Sequence, residues 1–338
     1  MTNFRTPLPN GFRNVTTDSA PRLMLLLNLG NLVDLPGSSV LSAGTEEEVY
    51  ARLCADGFEG VQITHGDPLP KSPALPFCGL SRINAPSDAD IVAARHADRG
   101  DRCITVHLGW GIEDDREVDA LVEAVLEAQQ RRRIAIFIET HRATVTQDIW
   151  RTVQLIKRHP DVRFNGDFSH YYCGQELVYG DWNQKIHFLT PLFDRVGFMH
   201  GRIASPGCIQ VPISKDVHAR PVQAHGVVNY LDDFRELWTR AMLGFLKHAA
   251  PGDVLPFAPE LLAGTHYYAR LFPDAEGVMC EESDRYAQAL LLAQIARESF
   301  AAASERQEEK KNAHHASDIQ RCGTCRRGNG GAARDALN

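Results

Sequence analysis

The chain has 338 residues, of which 43% are hydrophobic and 23% charged, and its formal net charge is −7. This composition is typical of a globular protein, and no apolar stretch approaches the roughly 20 residues needed to cross a bilayer, so we expect no membrane span. A negative net charge gives no basic surface for nucleic acid, which favours a small-molecule partner and no nucleic-acid partner. Because the N-terminus has no apolar region typical of a secretory signal, we expect a cytoplasmic protein.

Eight strand-like apolar runs alternate with helix-like segments along most of the chain. In chain order they are LMLLLNL in the region of residues 24–30, GVQIT ending at Thr64, GLSRIN ending at Asn84, CITVHL around His107, IAIFI before Glu139, VRFNG before Asp167, VGFM before His200 and VLPFAP before Glu260. Strands that alternate with helices pair in parallel. Eight such strands predict an α/β fold with a single (β/α)8 barrel.

Helix signals occupy the segments between these strands. Thr45 with Glu48, and Ser87 with Asp90, stand at capping-box spacing. The segment 113–133 begins with acids, ends with arginines and has apolar residues at helical spacing. Further helices are predicted over about 147–158, 229–248 and 280–306. The last of these should close the ring against the first strand.

Composition divides the chain into three parts: an N-terminal extension (1–21), the barrel (22–303) and a C-terminal tail (304–338). The tail is dominated by charged residues, glycine and alanine, which cannot bury a core, so we predict that it is disordered. It contains the motif CGTC, from Cys322 to Cys325. Two thiolates at this spacing can share a zinc ion, but a single CxxC motif favours a disordered extension over a metal site.

The last four strands each end at a side chain that can bind a metal: Glu139, Asp167, His200 and Glu260. Parallel barrels place their active sites where the strands end, so we expect these four residues to converge on one divalent cation. Three carboxylates and an imidazole, without a thiolate, suit Mn²⁺, Co²⁺, Zn²⁺ or Mg²⁺. Any one of them alone could be an ordinary polar residue at a strand end, so the hypothesis depends on all four.

Four motifs make the chain similar to a known superfamily over about residues 22–303. They are IETH around Glu139, DFSH from Asp167, MHGR around His200 and PEL around Glu260. With them the chain resembles the xylose isomerase-like TIM barrel superfamily, which includes sugar epimerases, inosose-processing enzymes, hydroxypyruvate isomerase and the endonuclease IV group. The resemblance implies that the four residues are metal ligands and that His170 contacts substrate hydroxyls. In the epimerase branch the two glutamates also exchange protons with the substrate.

The chemistry of this ligand set supports the same roles. A cation chelated by adjacent carbonyl and hydroxyl oxygens acidifies the C–H between them, while a carboxylate on either face removes or returns the proton. We therefore expect a metal-dependent isomerase or epimerase that acts on a keto-sugar or keto-polyol through a metal-stabilised enediolate. A lyase or dehydratase, or a keto-glycoside-cleaving enzyme, would use the same site and stays an alternative. A silent sugar-binding barrel is disfavoured, because both glutamates are retained.

Other polar and aromatic residues near the strand ends are candidates for substrate binding. They are His65, His107, Trp110, His170, Arg202, Asp216 and His218. His65, His107 and His218 are equally well explained as hydrogen-bonded pocket or core residues. Several of these groups also keep open a multinuclear zinc phosphodiesterase similar to endonuclease IV, although the third strand ends at Asn84 where that group would supply a histidine. No nucleotide cofactor is expected, because the chain has neither a P-loop nor a dinucleotide fingerprint. The sequence leaves homo-oligomerisation open.

Overall fold

A computed structural model describes residues 19–41, 44–64, 75–213 and 230–325, with side chains as far as residue 313. Eight parallel strands form a closed barrel in which each strand pairs with its sequence neighbours and the last pairs with the first. These strands are β1 (Arg22–Asn28), β2 (Gly60–Thr64), β3 (Phe77–Ile83), β4 (Cys103–Leu108), β5 (Ala135–Glu139), β6 (Phe164–Gly166), β7 (Val196–Gly201) and β8 (Val254–Pro259). The predicted α/β barrel is therefore confirmed.

Helices surround the barrel and connect its strands. They are α1 (Glu46–Ala55), α2 (Pro86–Arg99), α3 (Asp115–Arg132), α4 (Ile149–Arg158), α5 (Ser169–Gly174), α6 (Trp182–Phe188), α7 (Thr190–Phe193), α8 (Tyr230–His248) and α9 (Arg285–Cys325). A short antiparallel hairpin, β9 (Leu271–Pro273) and β10 (Met279–Glu281), precedes α9. It includes the first residues of the helix predicted over 280–306. Within the described ranges, no helix combines the length and the apolar character required to span a membrane.

One of the two predicted capping boxes is present. The Thr45 side chain accepts the amide hydrogen of Glu48, and the Glu48 carboxylate accepts that of Thr45. The box predicted at residues 87 and 90 is wrong. Helix α2 begins at Pro86, because proline suits the first helical position, and the side chain that accepts the preceding amides is therefore that of Asp88.

The last helix continues beyond the predicted end of the barrel at residue 303. Arg306 pairs with Glu236 at 3.0 Å, and the Gln307 side chain donates to the Leu246 carbonyl at 2.7 Å, so this part of α9 contacts α8. The predicted boundary at 304 therefore falls inside a helix, because alanine, glutamate, glutamine and lysine are strong helix formers. Cys322 and Cys325 lie in α9 beyond the described side chains, and residues 326–338 lie outside the description altogether.

The strands are buried on both faces, which explains why they read as continuous apolar runs. Every residue of β5 and of β8 is buried. Outside the barrel, Trp238 of α8 packs edge-on against Phe257 of β8, with ring centroids 5.0 Å apart. A few buried polar residues interrupt these apolar strands: Asn28, Gln62, Thr105 and Asn165.

Gly244 allows α8 to pack directly on α7, next to the strand that carries His200. A Cβ at Gly244 would collide with the Phe193 carbonyl oxygen and approach the Asp194 nitrogen to 2.9 Å. Both of these are backbone atoms, which cannot move aside by changing a rotamer.

We predict that Gly244→Ala lowers the free energy of unfolding by about 2 kcal/mol, because the added methyl group overpacks the contact. At a solvent-exposed helix position the same substitution would be stabilising. The sign of the change in the free energy of unfolding therefore tests this contact. Gly37→Ala is the matched control, since no described heavy atom beyond its chain neighbours lies within 4 Å of its Cβ position. Urea unfolding measures both variants, and equal midpoints would contradict the packing of α8 on α7.

Candidate metal centre

The four predicted metal ligands meet at the carboxyl end of the barrel. Glu139 is the last residue of β5, His200 is the second to last of β7, and Asp167 and Glu260 directly follow β6 and β8. One ligand atom from each side chain lies within 4.8 Å of one from each of the others, and all four residues are buried. We call them the ligand cluster. The structure brings these residues together, and their role as ligands stays a prediction.

Hydrogen bonds from neighbouring side chains orient two carboxylates of the ligand cluster. Asn165 Nδ2 donates to Glu139 Oε2 at 3.1 Å. Ser169 donates to Asp167 Oδ1 twice, from its hydroxyl at 2.5 Å and from its amide nitrogen at 3.0 Å. In Asp167 this leaves Oδ2 without a bond from Ser169, whereas in Glu139 the held oxygen is also the one that lies 3.3 Å from His200 Nδ1.

The other two residues of the ligand cluster, Glu260 and His200, are held by side-chain amides from β1 and β2. Asn28 Nδ2 donates to Glu260 Oε1 and to Gln62 Oε1, at 3.0 Å each. Gln62 Oε1 also lies 2.8 Å from His200 Nε2. Because an amide oxygen can only accept, His200 Nε2 carries a hydrogen and Nδ1 is the nitrogen that faces the site. Partners of this kind characteristically fix the tautomer and orientation of metal-binding histidines.

Several buried polar atoms at this site have no hydrogen-bond partner among the described residues. They are Glu139 Oε1, Asn165 Oδ1, His200 Nδ1, both ring nitrogens of His170, and Arg202 Nε and Nη1. Buried polar groups are rarely left unpaired in folded proteins. His200 Nδ1 lies 3.3 Å from Glu139 Oε2 and 3.4 Å from Glu260 Oε2, not aligned for a hydrogen bond to either. When His200 Nδ1 has lost its hydrogen, its lone pair and the carboxylate oxygens beside it fit a divalent cation, and the mixed oxygen and nitrogen donors suit Mg²⁺ or a first-row metal.

Charges within and beside the ligand cluster stabilise the ionised forms of His200 and Glu139. Burial disfavours the imidazolium, but the carboxylates of Glu260 and Glu139 outweigh it and raise the pKa of His200 to about 9. Burial likewise disfavours the Glu139 carboxylate, but His107 and His200 outweigh it and hold the pKa of Glu139 well below its usual range. The site therefore attracts positive charge strongly.

Arg202 lies inside the ligand cluster and not at its rim. The side chain is 1% exposed, and its Nη2 donates to Asp167 Oδ2 at 2.8 Å and to Glu260 Oε2. Its guanidinium carbon lies 4.6 Å from the centre of the Tyr268 ring. Burial raises the pKa of Asp167, and the Arg202 charge opposes this rise. The predicted substrate-binding arginine thus contacts two of the predicted metal ligands.

Three histidines stack beside Glu139. The ring centroids of His107 and His141 are 4.4 Å apart, and those of His141 and His170 are 3.9 Å apart. His107 Nε2 lies 3.3 Å from Glu139 Oε1, and His170 Nε2 lies 3.6 Å from Asp167 Oδ2. Burial lowers the pKa of His141 to about 3 and that of His170 well below its usual range, so both rings are neutral. For His107, burial is outweighed by the Glu139 charge, and its pKa is raised.

The remaining predicted site residues lie at the rim or outside the described chain. Trp110 follows β4 and is 56% exposed, with the Arg82 guanidinium 4.1 Å above its ring. His65, Asp216 and His218 lie outside the described residues. The predicted roles of these four residues in substrate binding remain expectations.

Sequence reasoning missed the residues that orient the ligand cluster. Asn28, Gln62 and Asn165 were not selected, although each is a polar residue within an otherwise apolar strand, in LLLN, VQIT and RFNG. In a closed barrel such a residue must find a buried partner, and this was the signal available. Tyr268 carries no comparable signal, because it lies in the segment after β8 whose path the sequence does not predict.

The chain matches no protein-family model and no curated protein. Among solved structures it is similar to a D-tagatose 3-epimerase-like protein, with 11% identity over 84% of this chain and 99% of the other, at a TM-score of 0.44. A xylose isomerase domain protein from Planctomyces limnophilus has 11% identity over 86% of this chain and 99% of its own, at a TM-score of 0.44. A xylose isomerase-like TIM barrel protein from Mycobacterium smegmatis, in complex with magnesium, has 13% identity over 85% of this chain and 98% of its own, at a TM-score of 0.46.

These proteins carry names from the superfamily that the sequence motifs resemble. Identities of 11% to 13% leave the reaction of this chain undetermined.

We predict that Gln62→Leu weakens the binding of Mn²⁺ by about 10- to 100-fold, because His200 and Asn28 lose a shared acceptor. Thr105→Val is the control, since the Thr105 hydroxyl accepts from Gln62 Nε2, at 2.9 Å, and forms no hydrogen bond with a predicted ligand in the described structure. Calorimetric titration of metal-free protein gives both affinities. Unchanged binding by Gln62→Leu would show that this hydrogen bond does not position His200.

Proposed function

We propose that this protein is a divalent-metal-dependent isomerase or epimerase that acts on a keto-sugar or keto-polyol. The observation that carries the proposal is the convergence of Glu139, Asp167, His200 and Glu260 within 4.8 Å of one another in a buried site. Oxygen and nitrogen donors in this number leave positions open for substrate oxygens. A cation of this kind, when bound, polarises a carbonyl and acidifies the adjacent C–H.

The two glutamates are the proposed acid and base catalysts. Glu139 ends β5 and Glu260 follows β8, so they approach the site from strands separated by β6 and β7. Glu139 Oε1 accepts no hydrogen bond from the described residues and can take a proton from the substrate carbon. Glu260 Oε1 accepts from Asn28, which orients the carboxylate and leaves Oε2, the oxygen that faces His200, for metal binding and proton transfer. Removal of the proton by one carboxylate and its return to the same carbon by the other gives epimerisation. Return to the neighbouring carbon, together with transfer of the hydroxyl proton to the former carbonyl oxygen, gives isomerisation.

The groups around the ligand cluster suit a hydroxylated substrate. His170 is neutral and buried, and neither of its ring nitrogens has a hydrogen-bond partner in the described structure. A neutral imidazole both donates and accepts, as a hydroxyl group does. Arg202 Nε and Nη1 are further donors at the same site. Loss of water or of a glycosidic leaving group from the same enediolate would make the enzyme a lyase, and the described residues suit that chemistry equally.

We predict that Glu139→Gln and Glu260→Gln each lower kcat by at least about 10³-fold, because each removes a proton-transfer group and a metal ligand together. Initial rates with Mn²⁺ on a panel of keto-sugars, and deuterium incorporation from D₂O into recovered substrate, are the measurements. Glu305→Gln, on the exposed surface of α9, is the control. Near-wild-type turnover by either site variant would refute its role.

A multinuclear zinc phosphodiesterase is the second candidate. It is favoured by a second group of donors, in which His107, Glu139 and His141 each offer one ligand atom within 4.8 Å of the others. Against it, the Ala143 amide donates to His141 Nδ1 at 3.1 Å. The neutral His141 ring therefore carries its hydrogen on Nε2, and neither nitrogen has a free lone pair for a metal. A single cation at the ligand cluster fits this arrangement better.

We predict that the protein binds about one divalent cation per chain, and that chelation abolishes turnover until Mn²⁺ or Co²⁺ is restored. Elemental analysis of protein dialysed against excess metal gives the stoichiometry. Three zinc ions per chain, together with cleavage of abasic DNA, would instead establish the phosphodiesterase.

A further inference from the structure

A guanidinium group is an unusual neighbour for the donors of a metal site, because its positive charge repels a cation. Arg202 is nevertheless 1% exposed and donates directly to two members of the ligand cluster, Asp167 and Glu260. It follows His200 by two residues, just beyond the end of β7. Its position is therefore set by the same strand that presents the imidazole.

Arg202 uses the carboxylate oxygens that a cation would need. In Asp167, Oδ1 is held by Ser169, so the oxygen that faces the site is Oδ2, which accepts from Arg202 at 2.8 Å. In Glu260, Oε1 is held by Asn28, and the oxygen that faces His200 is Oε2, which also accepts from Arg202. In both carboxylates the oxygen left free by the orienting residue is thus the one bound to Arg202 Nη2.

The remaining contacts of the guanidinium leave it able to shift. Nε and Nη1 have no hydrogen-bond partner within the described part of the chain, so only Nη2 ties the group to the ligand cluster. Its guanidinium carbon lies over the Tyr268 ring, 4.6 Å from the ring centre. An aromatic face keeps a cation favourably placed without fixing its rotation in the ring plane.

We propose that Arg202 is the internal counter-ion of this site: it bridges Asp167 and Glu260 when no divalent cation is bound, and it competes with the cation for the same two oxygens. This inference rests on the proposed function, because it concerns the metal of that site. It makes Arg202 a positioning residue that sets the affinity for the metal. Loading of the site releases the Nη2 donor beside the ligand cluster.

The test compares Mn²⁺ binding to chelator-treated wild type, Arg202→Gln and Arg202→Lys by calorimetric titration, with the visible absorption of Co²⁺ as a second readout. Arg202→Gln should bind Mn²⁺ at least about tenfold more tightly than wild type, since the competing charge is lost. Metal-free Arg202→Gln should unfold at a lower temperature, because its carboxylates lose their counter-ion. Arg202→Lys, which keeps the charge, should bind Mn²⁺ with an affinity between the two.

Arg82→Gln is the charge-matched control. Arg82 is a partly buried arginine at the same end of the barrel, and its hydrogen bonds go to Asn84 Oδ1 and the Gly109 carbonyl. Its replacement should change the affinity for Mn²⁺ by less than about threefold, because in the described structure Arg82 donates to no member of the ligand cluster.

The possible results separate this proposal from the proposed function. If wild type binds Mn²⁺ and Arg202→Gln binds it equally or more weakly, competition is refuted and the metal centre stands. If only Arg202→Gln binds Mn²⁺, competition is supported in its strongest form and a metal-dependent function is refuted. If neither protein binds any divalent cation, both proposals fail.

Discussion

Three carboxylates buried within reach of one another are the constraint on which this structure depends. Like charges at such separations repel strongly where water is excluded, and each carboxylate also loses its hydration. Glu139, Asp167 and Glu260 can remain ionised together only if positive groups and hydrogen-bond donors offset both costs. His200 and Arg202 supply the charge, while amide and hydroxyl side chains supply the donors. The function proposed for the site follows from this need for positive charge.

Closure of the barrel makes these compensating contacts possible. Asn28 ends β1 and Glu260 follows β8, so they are 232 residues apart in sequence and meet only because the last strand pairs with the first. Asn31 strengthens the same junction, since its side chain bonds to the Pro259 carbonyl and the Leu261 amide on either side of Glu260. An open sheet would leave these edges apart. The site is therefore a property of the whole barrel.

The strands and the ligand cluster could be predicted from sequence because both depend on local signals. Each of the last four apolar runs ends at a polar residue, and the rule that parallel strands share a carboxyl edge places Glu139 and His200 together. The orienting contacts depend on pairs that are distant in the chain. Gln62 and His200, for example, are 138 residues apart, and the local sequence around either residue does not predict that it contacts the other. The sequence did not predict the position of Arg202 either. An arginine that follows a strand can face solvent or two buried carboxylates, and the sequence pattern is the same in both cases.

Charge balance at the ligand cluster favours the proposed single cation over several. In the proposed metal-bound state His200 is neutral, as a ligand must be, and the three carboxylates and Arg202 then leave two negative charges at the ligand cluster. One divalent cation balances them, whereas further divalent cations would leave buried positive charge without a partner among the described residues. The His141 ring also favours a single cation. Its Nδ1 accepts a hydrogen bond from a backbone amide and its Nε2 bears the hydrogen, so neither nitrogen can bind a second ion. In the proposed metal centre, Arg202 would thus both compete with the cation and limit the site to a single ion.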